Sequence, residues 1–311
     1  MRNGMLALVI AALAGGAWWL WQGRLAKPLT ADALATRLAV PLAAPEGPLA
    51  VYHLGHSLVG RDMPALLAQM AGHDHASQLG WGSSLKDHWH DEVAGFETEN
   101  AHARHRPAGQ ALDSGDYQVV VLTEMVEIRD AIRYHDSAQH LALWAQRARK
   151  ARPDVRLYLY ETWHRTDDSE GWLARIDADS ARYWQGDVLA GAMAQEGVGA
   201  IYVIPGGPVM AAVVRAIDAG QVPGLTTRDD LFASDEVGAV DSIHFNDAGA
   251  YLMALTHYAV IYQRNPKGLP HNLTRADGAP ITALSEDTAR ALQRIVWDTV
   301  FRYGLTGMSN G

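Results

Sequence analysis

GHSLVG at residues 55–60 sets a serine two positions after a glycine, at the end of the short β-rich run AVYHL (50–54) and before a helical stretch. A hydroxyl at a strand-to-helix turn is exposed, and the backbone N–H groups of the helix start can stabilise a developing oxyanion. A hydroxyl nucleophile needs a base, and the base needs an orienting group. DSIHFNDAG (241–249) supplies both, with Asp241 and His244 three residues apart just before a helix. In one turn the carboxylate can reach one imidazole nitrogen while the other faces Ser57, which meets the roles of a Ser-His-Asp triad. Taken singly, a serine after glycine suits many turns and Asp-x-x-His suits a helix cap. The spacing is not G-x-S-x-G, so an α/β-hydrolase elbow is disfavoured.

The elements that must hold these residues alternate regularly. After AVYHL comes a helix starting near Asp62 and Pro64, with good N-terminal chemistry. YQVVVLTE (117–124), VRLYLYETW (155–163) and AIYVIP (200–205) read as strands that are apolar on both faces. Between and after them, helices are expected from Asp136, over 171–195, from Pro208 to Ala219, from Asp247 to Gln263 and from Ser285 to Tyr303. The last of these turns Leu292, Ile295, Val296 and Val300 inward. Continuous apolar strands alternating with helices predict a parallel sheet covered on both faces. In such a sheet, ligands sit outside the carboxyl ends of the strands. Those ends carry Gly55-His56-Ser57, Gly80-Trp81-Gly82, Thr123-Glu124, Trp163-His164 and Gly206-Gly207.

Composition narrows the chemistry. The 311 residues carry a net charge of −9, from 26 Lys+Arg against 35 Asp+Glu, so nothing neutralises a phosphate backbone and nucleic acid is excluded as a partner. The absence of cysteine excludes a disulfide framework, thiolate metal ligands and a Cys nucleophile. Met5 to Trp21 is uncharged and would span about 26 Å as a helix, near the lower limit for a bilayer. Trp18, Trp19 and Trp21 would form an interfacial belt, which favours an uncleaved anchor over a signal peptide cut after Ala17. The chain is thus divided into a signal anchor or signal peptide (1–23), a linker with a short helix (24–49) and one α/β domain (50–311), exported to the periplasm or beyond and either anchored by its first segment, the favoured reading, or released.

GHSL after the first strand and Asp-x-x-His before a late helix resemble the SGNH/GDSL hydrolase superfamily, in particular a less-characterised branch reading G-N-S-F at the serine. The resemblance extends to WGSSLKDHW (81–89), VVVLTE (119–124), LYLYETW (157–163) and HFNDAGAYLMAL (244–255). It implies a flavodoxin-like three-layer α/β/α sandwich and acyl-ester hydrolysis without a cofactor. It also implies Ser57 as nucleophile, His244 as base, Asp241 as orienter, and the Ser57 and Gly82 amides as oxyanion donors, with Gly80 competing for the Gly82 role. Two departures stand out. His56 replaces the usual Asp or Asn before the serine, and no Asn lies between Asn100 and Asn246 to supply the oxyanion side chain of the third block. Thr123 and Glu124 hold that strand end and are the candidates there for the oxyanion hole. A carboxylate there would repel an oxyanion unless protonated, so Glu124 is expected to bond the Ser57 turn or the substrate instead.

His56, Trp81, Trp89, Trp163 and His164 are the candidate substrate-binding residues, with the tryptophans able to stack on a sugar. His73-Asp74-His75 and the histidines near Trp89 match no closed zinc pattern, so no metal is expected. The expected activity is a serine esterase releasing short acyl groups from carbohydrate. An envelope polysaccharide O-acyltransferase and a degenerate glycan-binding domain are the alternatives.

Overall fold

The structure, a computed structural model, describes residues 26–308. The membrane segment expected over 1–23 lies outside them. Among the described residues no helix is long and apolar enough to cross a membrane.

Five runs form one parallel sheet: β1 (Ala50–His56), β2 (Asp74–Gly80), β3 (Val119–Thr123), β4 (Arg156–Glu161) and β5 (Tyr202–Pro205). Their order is β2-β1-β3-β4-β5, the flavodoxin-like order, whose topological switch lies between β1 and β3. Every residue of β3 is buried, as expected of strands covered on both faces. Four helices pack together on one side: α2 (Asp62–Ala71), α10 (Gly206–Asp218), α11 (Asp247–Tyr262) and α12 (Glu286–Arg302). Short α5 (Ala108–Ser114), α7 (Ser137–Ala151) and α9 (Ala190–Met193) pack together on the other. All sixteen residues of α11 are buried, which explains why its sequence shows no polar face. On α12 the four predicted inward residues are buried, and Ser285 caps the start by accepting from the Thr288 N–H at 3.1 Å.

Several elements depart from expectation. The 171–195 helix divides into α8 (Trp172–Asp179), a π-helical stretch over Ser180–Leu189, and α9. Asp136 does not cap α7 with its side chain: its backbone is left-handed (φ 48°) and its carboxylate pairs with Lys86 Nζ at 2.8 Å. Of the expected linker, the described part is docked. Its helix α1 (Ala31–Leu38) buries Leu34 and Leu38, the Leu29 N–H donates to Ala190 O, and the Leu42 N–H donates to Gly307 O. A two-stranded antiparallel unit, β6 (Phe232–Ser234) with β7 (Val240–Phe245), was not anticipated, because VDSIHF shows no alternation that would mark a strand.

That unit matters most for the site. Phe232 pairs with Phe245 and Ser234 with Val240, so three residues of β6 face six of β7 and the excess bulges out. Bulges re-aim side chains, and this one carries Asp241 and His244. Its far end is fixed by Asn246. The Asn246 amide group donates to Asp230 O and Phe232 O, both at 3.0 Å, while its Oδ1 accepts from Ala248 and Gly249 and starts α11.

Candidate active site

Ser57 leaves the carboxyl end of β1 at the switch point. The turn is tight, with the Val59 and Gly60 N–H groups both donating to His56 O (2.9 and 3.2 Å). Gly55 is required just before it, since a Cβ there would stand 2.7 Å from Thr123 Cβ. The close approach of β1 to β3 thus sets the height of Ser57 above the sheet.

The bulge of β7 brings the other two groups to this serine. His244 Nε2 lies 2.9 Å from Ser57 Oγ, and His244 Nδ1 lies 2.9 Å from Asp241 Oδ2. The carboxylate can only accept, so Nδ1 carries the proton and Nε2 is left to take one from the serine. Asp241 Oδ1 accepts from the Ile243 N–H (2.7 Å) and the His244 N–H (2.8 Å), closing the turn on itself. Partial burial pushes the Asp241 carboxyl up. The amide and ring of His244 and the Ile243 amide outweigh this and hold it below the ordinary aspartate value.

Ser57 and His244 line a cleft of about 600 Å³ with Trp81, Gly82, Met125, Val126 and Ile243, rimmed by Glu99, Glu127 and Arg165. Among the described residues, the Ser57 and Gly82 N–H groups have no protein acceptor. Trp81 is 56% exposed, and its indole N–H donates to Glu99 Oε1 at 2.8 Å. Its ring rests on Gly95, where a Cβ would come within 2.3 Å of it. One indole face is therefore seated and fixed.

The remaining expected site residues lie elsewhere. Thr123 and Glu124 are completely buried and do not line the cleft, so neither side chain is an oxyanion donor. Burial raises the Glu124 carboxyl to about 7, against the opposing pull of the Met125 amide, Ser137 and the Leu85 amide. His56 is likewise buried, with Nε2 donating to Glu124 O (2.9 Å) and Nδ1 accepting from the Leu58 N–H (3.3 Å), so it touches no substrate. Trp89 packs edge-on against Trp144 with ring centres 4.8 Å apart. Trp163 is fully buried, and its indole N–H donates to Ile243 O at 3.0 Å. His164 is buried 3.2 Å from Asp179, inside an ion cluster in which Arg175 joins Glu127, Asp168 and Asp179.

One residue, weighed from the sequence only as a possible metal ligand, supports the serine turn. His88 is buried, accepts from Gln78 Nε2 through Nδ1 (2.9 Å) and donates through Nε2 to Gly55 O (2.8 Å). It and His56 clamp the Ser57 turn from two sides as neutral rings, because burial pushes each down to about 4. Among the described residues no three metal-ligating side chains converge.

No family model and no curated protein matches the chain. Among solved structures, it is similar to a DUF4886 family protein from Bacteroides uniformis ATCC 8492, with 15% identity and a TM-score of 0.55 over 84% of this chain and 100% of that one. The likeness is one of fold. Looser superpositions are found with a protein provisionally described as a GDSL-like lipase from Parabacteroides merdae ATCC 43184 (11% identity, TM-score 0.43, 70% and 97% covered) and with a gut microbial diltiazem-metabolizing enzyme (11%, 0.38, 72% and 49%).

Proposed function

We propose that this protein is an SGNH-type serine esterase that removes short acyl groups from carbohydrate hydroxyls. The observation that carries this is the unbroken chain Asp241–His244–Ser57, with 2.9 Å at both links, opening into a cleft at the switch point of a parallel sheet.

Ser57 Oγ attacks the acyl carbonyl while His244 Nε2 takes its proton, and Asp241 stabilises the imidazolium. The carbonyl oxygen gains charge beside the Ser57 and Gly82 amides, donors that need no reorganisation. The tetrahedral intermediate collapses, and His244 returns the proton to the departing sugar oxygen. Water deprotonated by His244 then attacks the acyl-enzyme and frees the acid and Ser57. Met125, Val126 and Ile243 offer an apolar wall for a short acyl chain. Trp81 offers a fixed flat face for a sugar ring, with Glu99, Glu127 and Arg165 at the rim for its hydroxyls. Export and anchoring through Met5–Trp21 belong to the same proposal.

The test is hydrolysis of 4-nitrophenyl acetate and O-acetylated xylo-oligosaccharides. Turnover that falls at least about 10³-fold in Ser57→Ala supports the reading. Turnover unchanged by that substitution overturns it.

A further inference from the structure

Glu124 stands where an oxyanion-donating Asn would be expected, and it is fully buried. Its position in the hydrogen-bond pattern is unusual. Its Oε1 accepts from the Met125 N–H at 2.8 Å and from the Leu85 N–H at 3.2 Å. Its backbone carbonyl accepts from His56 Nε2 at 2.9 Å. Through these bonds it joins its own loop, which continues into Met125 and Val126, to two other segments. Leu85 opens the short helix Leu85–Trp89 that follows Gly82, Met125 is the next residue of the Glu124 loop that puts Met125 and Val126 on the cleft wall, and His56 ends β1 immediately before Ser57.

We infer that Glu124 is a positioning residue that holds the Ser57, Gly82 and Met125–Val126 loops in register, so that the amides facing the oxyanion keep their spacing. This rests on the esterase reading above.

The chemistry fits a tie and not a donor. A carboxyl oxygen has two lone pairs and can serve two amides at once, whereas the Asn that the resemblance leads one to expect would spend its N–H group on the substrate. Two of the three segments are also joined directly, since His88 lies on the short helix that Leu85 opens and donates to the carbonyl of Gly55. Leu85 is fixed from the other side by the Trp144 indole donating to its carbonyl at 3.0 Å, and the Gly55 carbonyl is held by His88. Glu124 adds the end of β3 to this pair, so that all three segments meet at one residue. An oxyanion hole tolerates little misplacement, because its donors act only at hydrogen-bond distance from the developing charge.

The experiment compares Glu124→Gln, Glu124→Asp and Glu124→Ala with the wild type in 4-nitrophenyl acetate hydrolysis, with kcat expressed per active site titrated by the burst. Gln keeps an acceptor oxygen at the same reach, so kcat should stay within about fivefold. Asp is one methylene too short to serve both amides, and Ala serves neither, so each should lose about 100-fold in kcat, the size of a lost oxyanion donor, with KM within about twofold. Should the Ala variant fail to fold, Gln and Asp carry the comparison alone. Wild-type kcat in Asp or Ala overturns the inference, as does a Gln variant as slow as Asp, which would mean that the charge and not the acceptor matters. An inactive wild type would instead sink the esterase reading and is thereby told apart.

Discussion

The Trp163 indole N–H donates to the carbonyl of Ile243 at 3.0 Å, tying the end of β4 to the bulge that presents His244. A second bond, from the Thr166 N–H to Ser242 O at 2.7 Å, reinforces the tie. Trp163 thus acts beneath the site, not in it. Trp163→Phe keeps most of the ring but leaves a buried carbonyl short of a donor, at a cost of about 1–3 kcal/mol. A lowered Tm and a kcat reduced more than KM is altered are expected. Unchanged melting and kinetics would remove Trp163 from the account.

Asp241 plays two parts that one substitution can separate. In Asp241→Asn an oxygen can still accept from the Ile243 and His244 amides, but an NH₂ group facing His244 Nδ1 imposes the wrong tautomer. A kcat loss of about 10³–10⁴-fold with little change in Tm is expected. A mild loss would show that His244 does not depend on this carboxylate.

Trp81 should act on the alcohol half of the substrate alone. In Trp81→Ala, KM for O-acetylated xylo-oligosaccharides should rise about tenfold, the worth of a stacking contact of about 1–2 kcal/mol, while methyl acetate, whose alcohol half has no ring to stack, is turned over as before. Equal effects on both substrates would argue against a sugar platform.

Acid should unfold the protein before it protonates the clamps of the Ser57 turn. His56, His88 and His257 are fully buried and pushed by burial from 6.5 down to about 4. Between those values the unfolded chain binds protons that the folded one refuses. Their stability contribution is therefore complete above pH 6.5 and is lost as pH falls toward 4. Glu124 and Glu161, raised by burial from 4.5 to about 7, oppose this, since they favour the folded state below 4.5 and lose that effect as pH rises through 7. His73 and His75, also pushed down to about 4 chiefly by burial, add to the histidine side, so Tm should drop between pH 7 and pH 5, and more steeply in Glu161→Gln. A Tm that holds or rises over that interval contradicts this balance.

Much of this arrangement was legible from residue types. Short uniformly apolar runs such as VVVLT, alternating with helical stretches, point to inner strands of a covered sheet, and Gly55-His56-Ser57 after the first strand sets the serine at the carboxyl edge. Asp241 and His244 were readable as partners because three residues suffice for a self-closing turn, although the strand pairing that flanks them was not. What stayed hidden depends on contacts distant in sequence. His56 looked like a substrate group, yet both its nitrogens are spent on Glu124 and Leu58. Trp163 and His164 end a strand at the active edge, but β7 and the Arg175 cluster cover them. His88 gives no local sign of its bond to Gly55, 33 positions away.

The central claim is that Ser57 is an activated nucleophile. Incubating the folded protein with a fluorophosphonate probe and mapping the adduct by mass spectrometry tests it directly. One phosphonyl group on Ser57, absent from Ser57→Ala and strongly slowed in His244→Ala, is the predicted result. Folded protein that takes up no probe, or takes it up at another residue, would contradict the account.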